Sequence, residues 1–337
     1  MGTLHRRALI AAGAAAGLSA AILPRRAQAA EFTLKLGCEP NPDHPVVIQM
    51  MKAAEAIGRD SKGRVELKVF PASQLGSATD MLSQVRSGAL EFYATAGIQL
   101  GQLVPVAQIS SLGFAFEDYS KVWAAMDGDL GAYVQKELSR SSLIAFEKVW
   151  DMGYRQITSR DRPIERPQDL EGFKIRVPVS PLWTSMFKSF GASPTSISFA
   201  ELYSALQTKI ADGQENPISN IHSARLYEVQ KYCSLTNHMW GGLHFLANAR
   251  IWRSLPTDVQ EIVTTRINAA AVASRADTLA ANTEYRSLLE KQGMVFNQPD
   301  LAPFRQKLTS AGFYKEWREK MGSQAWGLLE KYSGPLA

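Results

Sequence analysis

The 337-residue sequence has 37 Lys and Arg against 32 Asp and Glu, which gives a formal net charge of +5 at pH 7. Four arginines and no acidic residue lie in residues 1–29, so the rest of the chain carries only 5 − 4 = +1. A nucleic-acid-binding domain needs a strongly basic face, and this nearly neutral chain therefore argues against a nucleic-acid partner. The 337 − 29 = 308 residues that remain are enough for two domains with separate cores.

Residues 1–29 are typical of an export signal that is removed from the mature protein. Arg6 and Arg7 form its charged start, an Ala/Leu/Ile run follows, and Ala27-Gln28-Ala29 is a small-residue cleavage site. The apolar run is too short for a membrane anchor, and both the Sec and the twin-arginine routes accept such a signal. We expect cleavage near Ala29 and a periplasmic protein.

The first half of the mature chain predicts strands that alternate with helices. Residues 32–37 (FTLKLG) and 65–70 (VELKVF) alternate apolar and polar side chains, as half-buried strands do. Between them we predict a helix over residues 45–60, because its first residue is a proline. Residues 80–96 predict a helix that ends at Gly88 and is followed by a third strand. Such units predict a parallel sheet and an α/β fold.

A second set of the same units begins near residue 154. Residues 154–159 (YRQITS) and 173–178 (FKIRVP) predict strands, and residues 181–191 predict a helix that is closed by a glycine.

The next predicted helix covers residues 199–212 and ends at Gly213. Ser198 and Glu201 have the spacing of a capping box at its start. Apolar residues with helical spacing should face the core; they are Phe199, Leu202, Tyr203, Leu206 and Ile210.

Neither proline nor glycine occurs between Pro256 and Gly293. We therefore predict one helix over about residues 257–292, about 50 Å long. Such a helix is longer than a small domain is wide, so it should act as a spine that crosses both domains. The resulting division assigns residues 30–153 and about 242–275 to the first α/β domain, and residues 154–241 and about 276–337 to the second.

Cys38 and Cys233 lie far apart and form no CxxC motif. One pair is not a disulfide framework, although an oxidising compartment allows a bond. We expect two buried free thiols, and the geometry decides between the alternatives.

The sequence contains no nucleophile elbow, P-loop, HExxH motif or dinucleotide glycine pattern. His222, His238 and His244 have spacings that match no local chelating motif, so they do not predict a zinc site. We expect no metal, no cofactor and no enzymatic activity.

Two residues are candidates for binding rather than catalysis. Arg176 alternates with apolar residues in GFKIRVP, and most such strand arginines are solvated. Asn216 precedes a proline in DGQENP, where it either stabilises a turn or presents its amide from a stiffened segment.

Several aromatic residues cluster around the same stretches. Core packing explains most such residues, and a cleft that stacks a ring-shaped ligand would use the same side chains. The aromatic residues are Trp150, Tyr154, Trp183, Trp240 and Phe245.

GFKIRVP, FAELYSALQTKIADGQENP and the long unbroken helix resemble the solute-binding proteins of tripartite ATP-independent periplasmic (TRAP) transporters, of the DctP type. The early segment PASQLGSATDMLSQVRSGALEF resembles the same family, so the likeness covers essentially the whole mature chain. The resemblance implies a two-domain periplasmic binding protein, type II-like, that closes a central cleft on an organic acid. It also implies a monomer without a cofactor that delivers its ligand to membrane permease subunits.

The resemblance also assigns roles to residues. It implies that Arg176 forms a two-pronged salt bridge with the ligand carboxylate, for which a guanidinium fork is suited. Asn216 and Arg155 match two further binding positions of the family. Four more residues are placed near the ligand only by proximity: Trp183, Trp240, Tyr154 and Glu39.

The identity of the ligand stays open among organic acids. The two tryptophans favour a sugar acid such as a uronate, with an aromatic or keto carboxylate as the alternative. A sensor subunit would use the same pocket with another docking partner, and an exported enzyme is disfavoured because no catalytic constellation occurs.

Overall fold

A mixed β-sheet of eleven strands runs through the computed structural model of the chain, which describes residues 29–336. The predicted export signal, residues 1–29, lies almost entirely outside the described residues. The main path of the sheet has the order β2-β1-β3-β10-β5-β8-β6-β7. The strands are β1 (Phe32–Cys38), β2 (Val65–Phe70), β3 (Phe92–Ala96), β4 (Leu143–Ala145), β5 (Trp150–Ser159), β6 (Lys174–Val177), β7 (Ser193–Ser196), β8 (Gly213–Pro217), β9 (Tyr232–Ser234), β10 (Trp240–Asn248) and β11 (Val295–Asn297).

Helices cover the sheet, which confirms the predicted α/β class. None of the helices in residues 29–336 is both long enough and apolar enough to cross a membrane. They are α1 (Pro45–Asp60), α2 (Ala78–Ser87), α3 (Gly97–Leu100), α4 (Tyr119–Met126), α5 (Asp129–Ser139), α6 (Pro181–Ser189), α7 (Leu202–Gln207), α8 (Ile218–Ser223), α9 (Ala249–Ser254), α10 (Thr257–Lys291), α11 (Ala302–Ser310), α12 (Phe313–Met321) and α13 (Ser323–Ser333).

The first half of the chain folds as its local patterns predict. Strand β1 is parallel to both β2 and β3, and α1 begins at the predicted proline. Helix α1 buries Val46, Met50 and Ile57 in the same core as Leu36 of β1. Helix α2 ends at Gly88, which adopts the left-handed conformation, as expected.

The second half contains a parallel group in which β6 lies between β7 and β8. Helix α6 matches the prediction, but the helix predicted over residues 199–212 is shorter. A 3₁₀ turn leads into α7, which ends at Gln207. Lys209 then takes a left-handed conformation with φ 62°, which stops the helix.

The early end of α7 makes one predicted core residue wrong. Ile210 is 58% exposed, whereas Leu202 and Leu206 are buried as predicted. The predicted capping box does not form: the Ser198 hydroxyl donates to the Glu201 carboxylate at 2.7 Å and makes no side-chain cap to the backbone.

Strand β5 and helix α10 connect the two halves of the sheet. The first part of β5 pairs with β10, and its second part pairs with β8 and β9. Helix α10 has 35 residues, which confirms the predicted spine. Its Val263 and Ile267 pack in the core of β1 and α1, whereas Leu289 packs with α7 and α8.

The crossing elements meet at the buried residue Asp151. Its carboxylate accepts hydrogen bonds from the Gly153 N–H at 2.9 Å and from the Trp240 indole at 2.8 Å. The Thr278 hydroxyl of α10 donates to its backbone carbonyl at 3.0 Å. Gly153 has φ 94°, a conformation that favours glycine. One residue therefore ties β5, β10 and α10 together.

The last three helices contact both halves of the chain. Helix α13 packs on α4 and α5, and α11 and α12 pack on α6. The domain boundaries assigned from the sequence remain a prediction.

The two cysteines are free and buried, as predicted. Burial is the main reason that the pKa of Cys38 rises to about 12, and burial also raises the pKa of Cys233.

We expect Gly213→Ala to destabilise the protein by about 1–3 kcal/mol, because its Cβ would lie 2.2 Å from the Thr158 carbonyl oxygen between β5 and β8. The free energy of unfolding, measured by urea denaturation, checks this. Gly58→Ala is the matched control. Gly58 lies within α1, and an added Cβ would meet no atom closer than 3.8 Å. The change should therefore stabilise the protein by about 0.5–1 kcal/mol. Equal effects of the two changes would contradict the packing argument.

Candidate functional site

A cavity lies between the two halves of the sheet. One wall comes from the residues after β1 and around α3, and the other from β5, β6 and β8. A second compartment extends toward the start of α2. Both compartments share Glu39, Gln99 and Arg176, so they are two parts of one site.

Arg176 lies on β6 at the centre of this site and is only 1% exposed. Its Nε donates to the Ile197 carbonyl at 2.8 Å, and its buried Nη1 has no partner within residues 29–336. Burial lowers the pKa of Arg176 to about 10. The expectation that Arg176 is solvated is therefore wrong. On the same strand Lys174 is exposed, whereas Arg176 is buried.

Arg155 of β5 is paired within the protein. Its guanidinium forms an ion pair with Glu215, with Nη2 2.8 Å from Oε1. The same Nη2 donates to the Asn216 Oδ1 at 3.0 Å. Its guanidinium carbon lies 4.2 Å from the centre of the Trp183 ring, at the distance of a cation–π contact. Both Arg155 and Trp183 line the cavity.

A chain of buried polar groups supports that ion pair. Burial alone would raise the pKa of Glu215, but the charge and hydrogen bonds of Arg155 and a hydrogen bond from His238 hold it below its ordinary value. Burial lowers the pKa of His238. A neutral His238 donates from Nε2 to Glu215 at 3.2 Å and accepts from the Thr236 hydroxyl at 2.7 Å. The sequence motifs did not single out this support.

Asn216 lies on β8 and is 2% exposed. While its Oδ1 accepts from Arg155, its Nδ2 donates to the Gln214 Oε1 at 2.5 Å. These two contacts fix the orientation of the amide at the cavity wall. The extended segment expected before Pro217 is confirmed.

Glu39 follows β1 and faces the arginines from the opposite wall. Gln99 donates from Nε2 to Glu39 Oε2, and the Thr95 hydroxyl donates to the Gln99 Oε1. Burial raises the pKa of Glu39, while the Gln99 hydrogen bond and the charges of Arg176 and Arg155 oppose that shift.

Tyr154 and Trp240, which we expected near the ligand, do not line the cavity. They are opposite each other on the paired strands β5 and β10, and they pack against Tyr119 and Trp123 of α4 at centroid distances of 5.2 and 5.3 Å. Successive side chains of a strand face opposite sides. Because Arg155 faces the cavity, its neighbour Tyr154 faces away.

The remaining aromatic and polar residues divide between the core and the cavity. Trp150 and Phe245 pack in the core rather than in the cleft. No group of three or more His, Cys, Asp or Glu within residues 29–336 is arranged to hold a metal ion. Phe199 and Asn220 line the cavity; the first was predicted only as a core residue, and the second lies four residues beyond Asn216 without a motif of its own.

Comparison with known proteins agrees with this architecture. The chain matches DctP, bacterial extracellular solute-binding protein, family 7, over residues 36–320. It is 36% identical over 258 residues to the uncharacterized protein y4mM of Sinorhizobium fredii, a match that covers 77% of this chain and 48% of that protein. It is 32% identical over 260 residues to the C4-dicarboxylate-binding periplasmic protein DctP of Rhodobacter capsulatus, covering 76% of this chain and 77% of that protein.

A solved structure has the same fold. It is a TRAP periplasmic solute-binding protein from Sulfitobacter sp. NAS-14.1 with bound β-D-galacturonate. The TM-score is 0.85 at 27% identity, and the match covers 90% of this chain and 100% of that one. The family that the sequence motifs predicted is thereby confirmed: the chain belongs to the DctP family of extracellular solute-binding proteins of TRAP transporters.

Proposed function

We propose that this protein binds an organic acid through its carboxylate, preferentially a sugar acid such as a uronate, and delivers it to the permease of a TRAP transporter. The observation that carries the proposal is the buried Arg176, whose Nη1 has no partner within residues 29–336 and which lines a cavity. We further propose export by the Sec or twin-arginine route, cleavage near Ala29, and a periplasmic monomer that does not act as an enzyme.

The geometry of Arg176 favours a carboxylate over other anions. Because its Nε already donates to Ile197, the terminal nitrogens remain for the ligand. A guanidinium presents parallel N–H groups at the spacing of two carboxylate oxygens. An anion would also compensate a charge that is expensive to bury alone.

The rest of the lining favours a sugar acid. Trp183 and Phe199 provide apolar faces on which a sugar ring can pack, and Asn220 and Gln99 provide amides for hydroxyl groups. Such a mixture of aromatic surface and a few polar groups is typical of small-molecule sites. The similar Sulfitobacter protein with bound galacturonate supports the same class of ligand.

A thermal-shift screen of the mature protein against uronates, aldonates, C4-dicarboxylates, keto acids and aromatic acids tests the proposal. A ligand at a hundred times its dissociation constant should stabilise the folded state by about 2.7 kcal/mol. The bound compound should be recovered chemically unchanged. A screen in which no carboxylate raises the melting temperature would refute the proposed function.

Arg176→Lys should keep the charge and the fold but lose about ten- to a hundredfold in affinity for the ligand found in that screen, because a lysine cannot form the forked pair. Arg176→Ala should lose more. Calorimetry measures both, and circular dichroism checks the fold. Lys174→Ala, an exposed change on the same strand, should bind normally. Normal binding by both Arg176 variants would return this residue to a structural role.

Asn216→Asp should also weaken binding, by several kcal/mol, because it places a negative charge where the ligand carboxylate is proposed to lie. It also removes the donor to Gln214. Asn268→Asp is the control, since Asn268 lies outside the cavity lining and its Oδ1 accepts from the Lys148 N–H, a contact that a carboxylate keeps. Calorimetry should show an unchanged affinity for the control, and an unchanged affinity for Asn216→Asp would contradict the assigned role.

A further inference from the structure

Three charged side chains line the two compartments of the cavity: Glu39, Arg155 and Arg176. Arg155 is neutralised by its ion pair with Glu215. Within residues 29–336, neither Glu39 nor Arg176 is in an ion pair. Apart from the neutralised pair, the cavity is therefore lined by one unpaired cation and one unpaired carboxylate, on opposite walls.

The carboxylate of Glu39 is held in place. Gln99 donates to its Oε2, and the amide orientation of Gln99 is set by the hydroxyl of Thr95, which donates to Oε1 of Gln99. Glu39 therefore accepts a hydrogen bond at Oε2, and its Oε1 is left to accept one from a donor group of the ligand. Hydroxyl groups are such donors.

A second carboxylate on the ligand would lie close to the carboxylate of Glu39. One carboxylate of a dianion would be compensated by Arg176, and no second unpaired cation lines the cavity among the described residues. The other carboxylate would bind beside an ionised Glu39 or with the uptake of a proton. Both outcomes weaken binding, because like charges in a site with little water are poorly screened.

We propose that Glu39 is a specificity-determining residue that restricts the cavity to monocarboxylates whose other polar groups are hydroxyls, and that it excludes dicarboxylates. The inference rests on the proposed function and narrows its ligand class. Neutral polar residues at the same walls, Gln99, Gln102, Ser111 and Asn220, fit hydroxyl groups and add no charge. The dicarboxylate named for the similar Rhodobacter protein is thus the class that this chain should reject.

Matched pairs of sugar acids test the inference. D-Galactonate and galactarate, like D-gluconate and D-glucarate, differ only in that a terminal CH₂OH is replaced by a carboxylate. Calorimetry on the mature protein should show binding at least about tenfold tighter for the monocarboxylate of a pair. Glu39→Gln keeps the size and the acceptor but removes the charge, so it should bring the two members within about threefold.

Glu55→Gln, the same change at a 72% exposed side chain on α1, is the control and should keep the wild-type ratio. Circular dichroism and the melting temperature check that each variant is folded, and the wild-type ratio is informative without any variant. The inference is wrong if wild type binds none of the four sugar acids, if it binds the dicarboxylate as tightly, or if Glu39→Gln keeps the wild-type preference. In each of these cases the carboxylate screen still decides the proposed function separately.

Discussion

The constraint on which the site depends is the buried guanidinium of Arg176, which forms no ion pair within residues 29–336. Taking the charge of Arg176 out of water is unfavourable, and burial lowers its pKa for that reason. The cost is partly offset by one hydrogen bond to the Ile197 carbonyl and by attraction to Glu215 and Glu39. Strand β6 can hold the side chain there because it is paired on both sides, with β7 and β8. The anion proposed to bind at Arg176 would relieve this electrostatic cost, which would contribute to the free energy of binding.

The other polar groups of the site are arranged so that little must reorganise. Arg155 is fixed by Glu215, which is in turn supported by His238 and Thr236. On the opposite wall, Gln99 fixes Glu39. Networks in which every member has a partner are rigid, and preorganisation reduces the entropy lost on binding. The walls belong to different halves of the sheet, and β5 and α10, which reach both halves, determine how the walls are placed relative to each other.

Much of the fold was predictable because its signals are local. Strand β2 and helix α1 have the predicted bounds, since alternation and a proline at the first turn act within a few residues. The spine helix was predictable because no glycine or proline interrupts it. The end of α7 was not, because a left-handed lysine stops the helix before Ile210 and no glycine or proline indicates that position.

The site was predictable only in part. Family motifs led to Arg176, Asn216 and Arg155, and all three line the cavity, although their contacts with a ligand remain predictions. The expectation for Tyr154 was inconsistent with strand alternation once Arg155 was assigned to the cleft. The support of Glu215 by His238 joins β8 to the segment before β10, 23 residues further along the chain, so no local pattern could reveal it. The charge balance of the cavity likewise depends on knowing which arginine is already paired.

The two buried cysteines determine how the folded protein responds to an oxidising compartment. Burial raises the pKa of both thiols, which favours their protonated form. Thiolates, not thiols, carry out disulfide exchange, so burial disfavours exchange at both cysteines in the folded chain. Cys38 ends β1 and Cys233 lies in β9, which pairs with β5 and β11. Both thiols are protected only after these strands have assembled, so the time that the chain takes to pair them is the period in which an oxidant can reach the thiols.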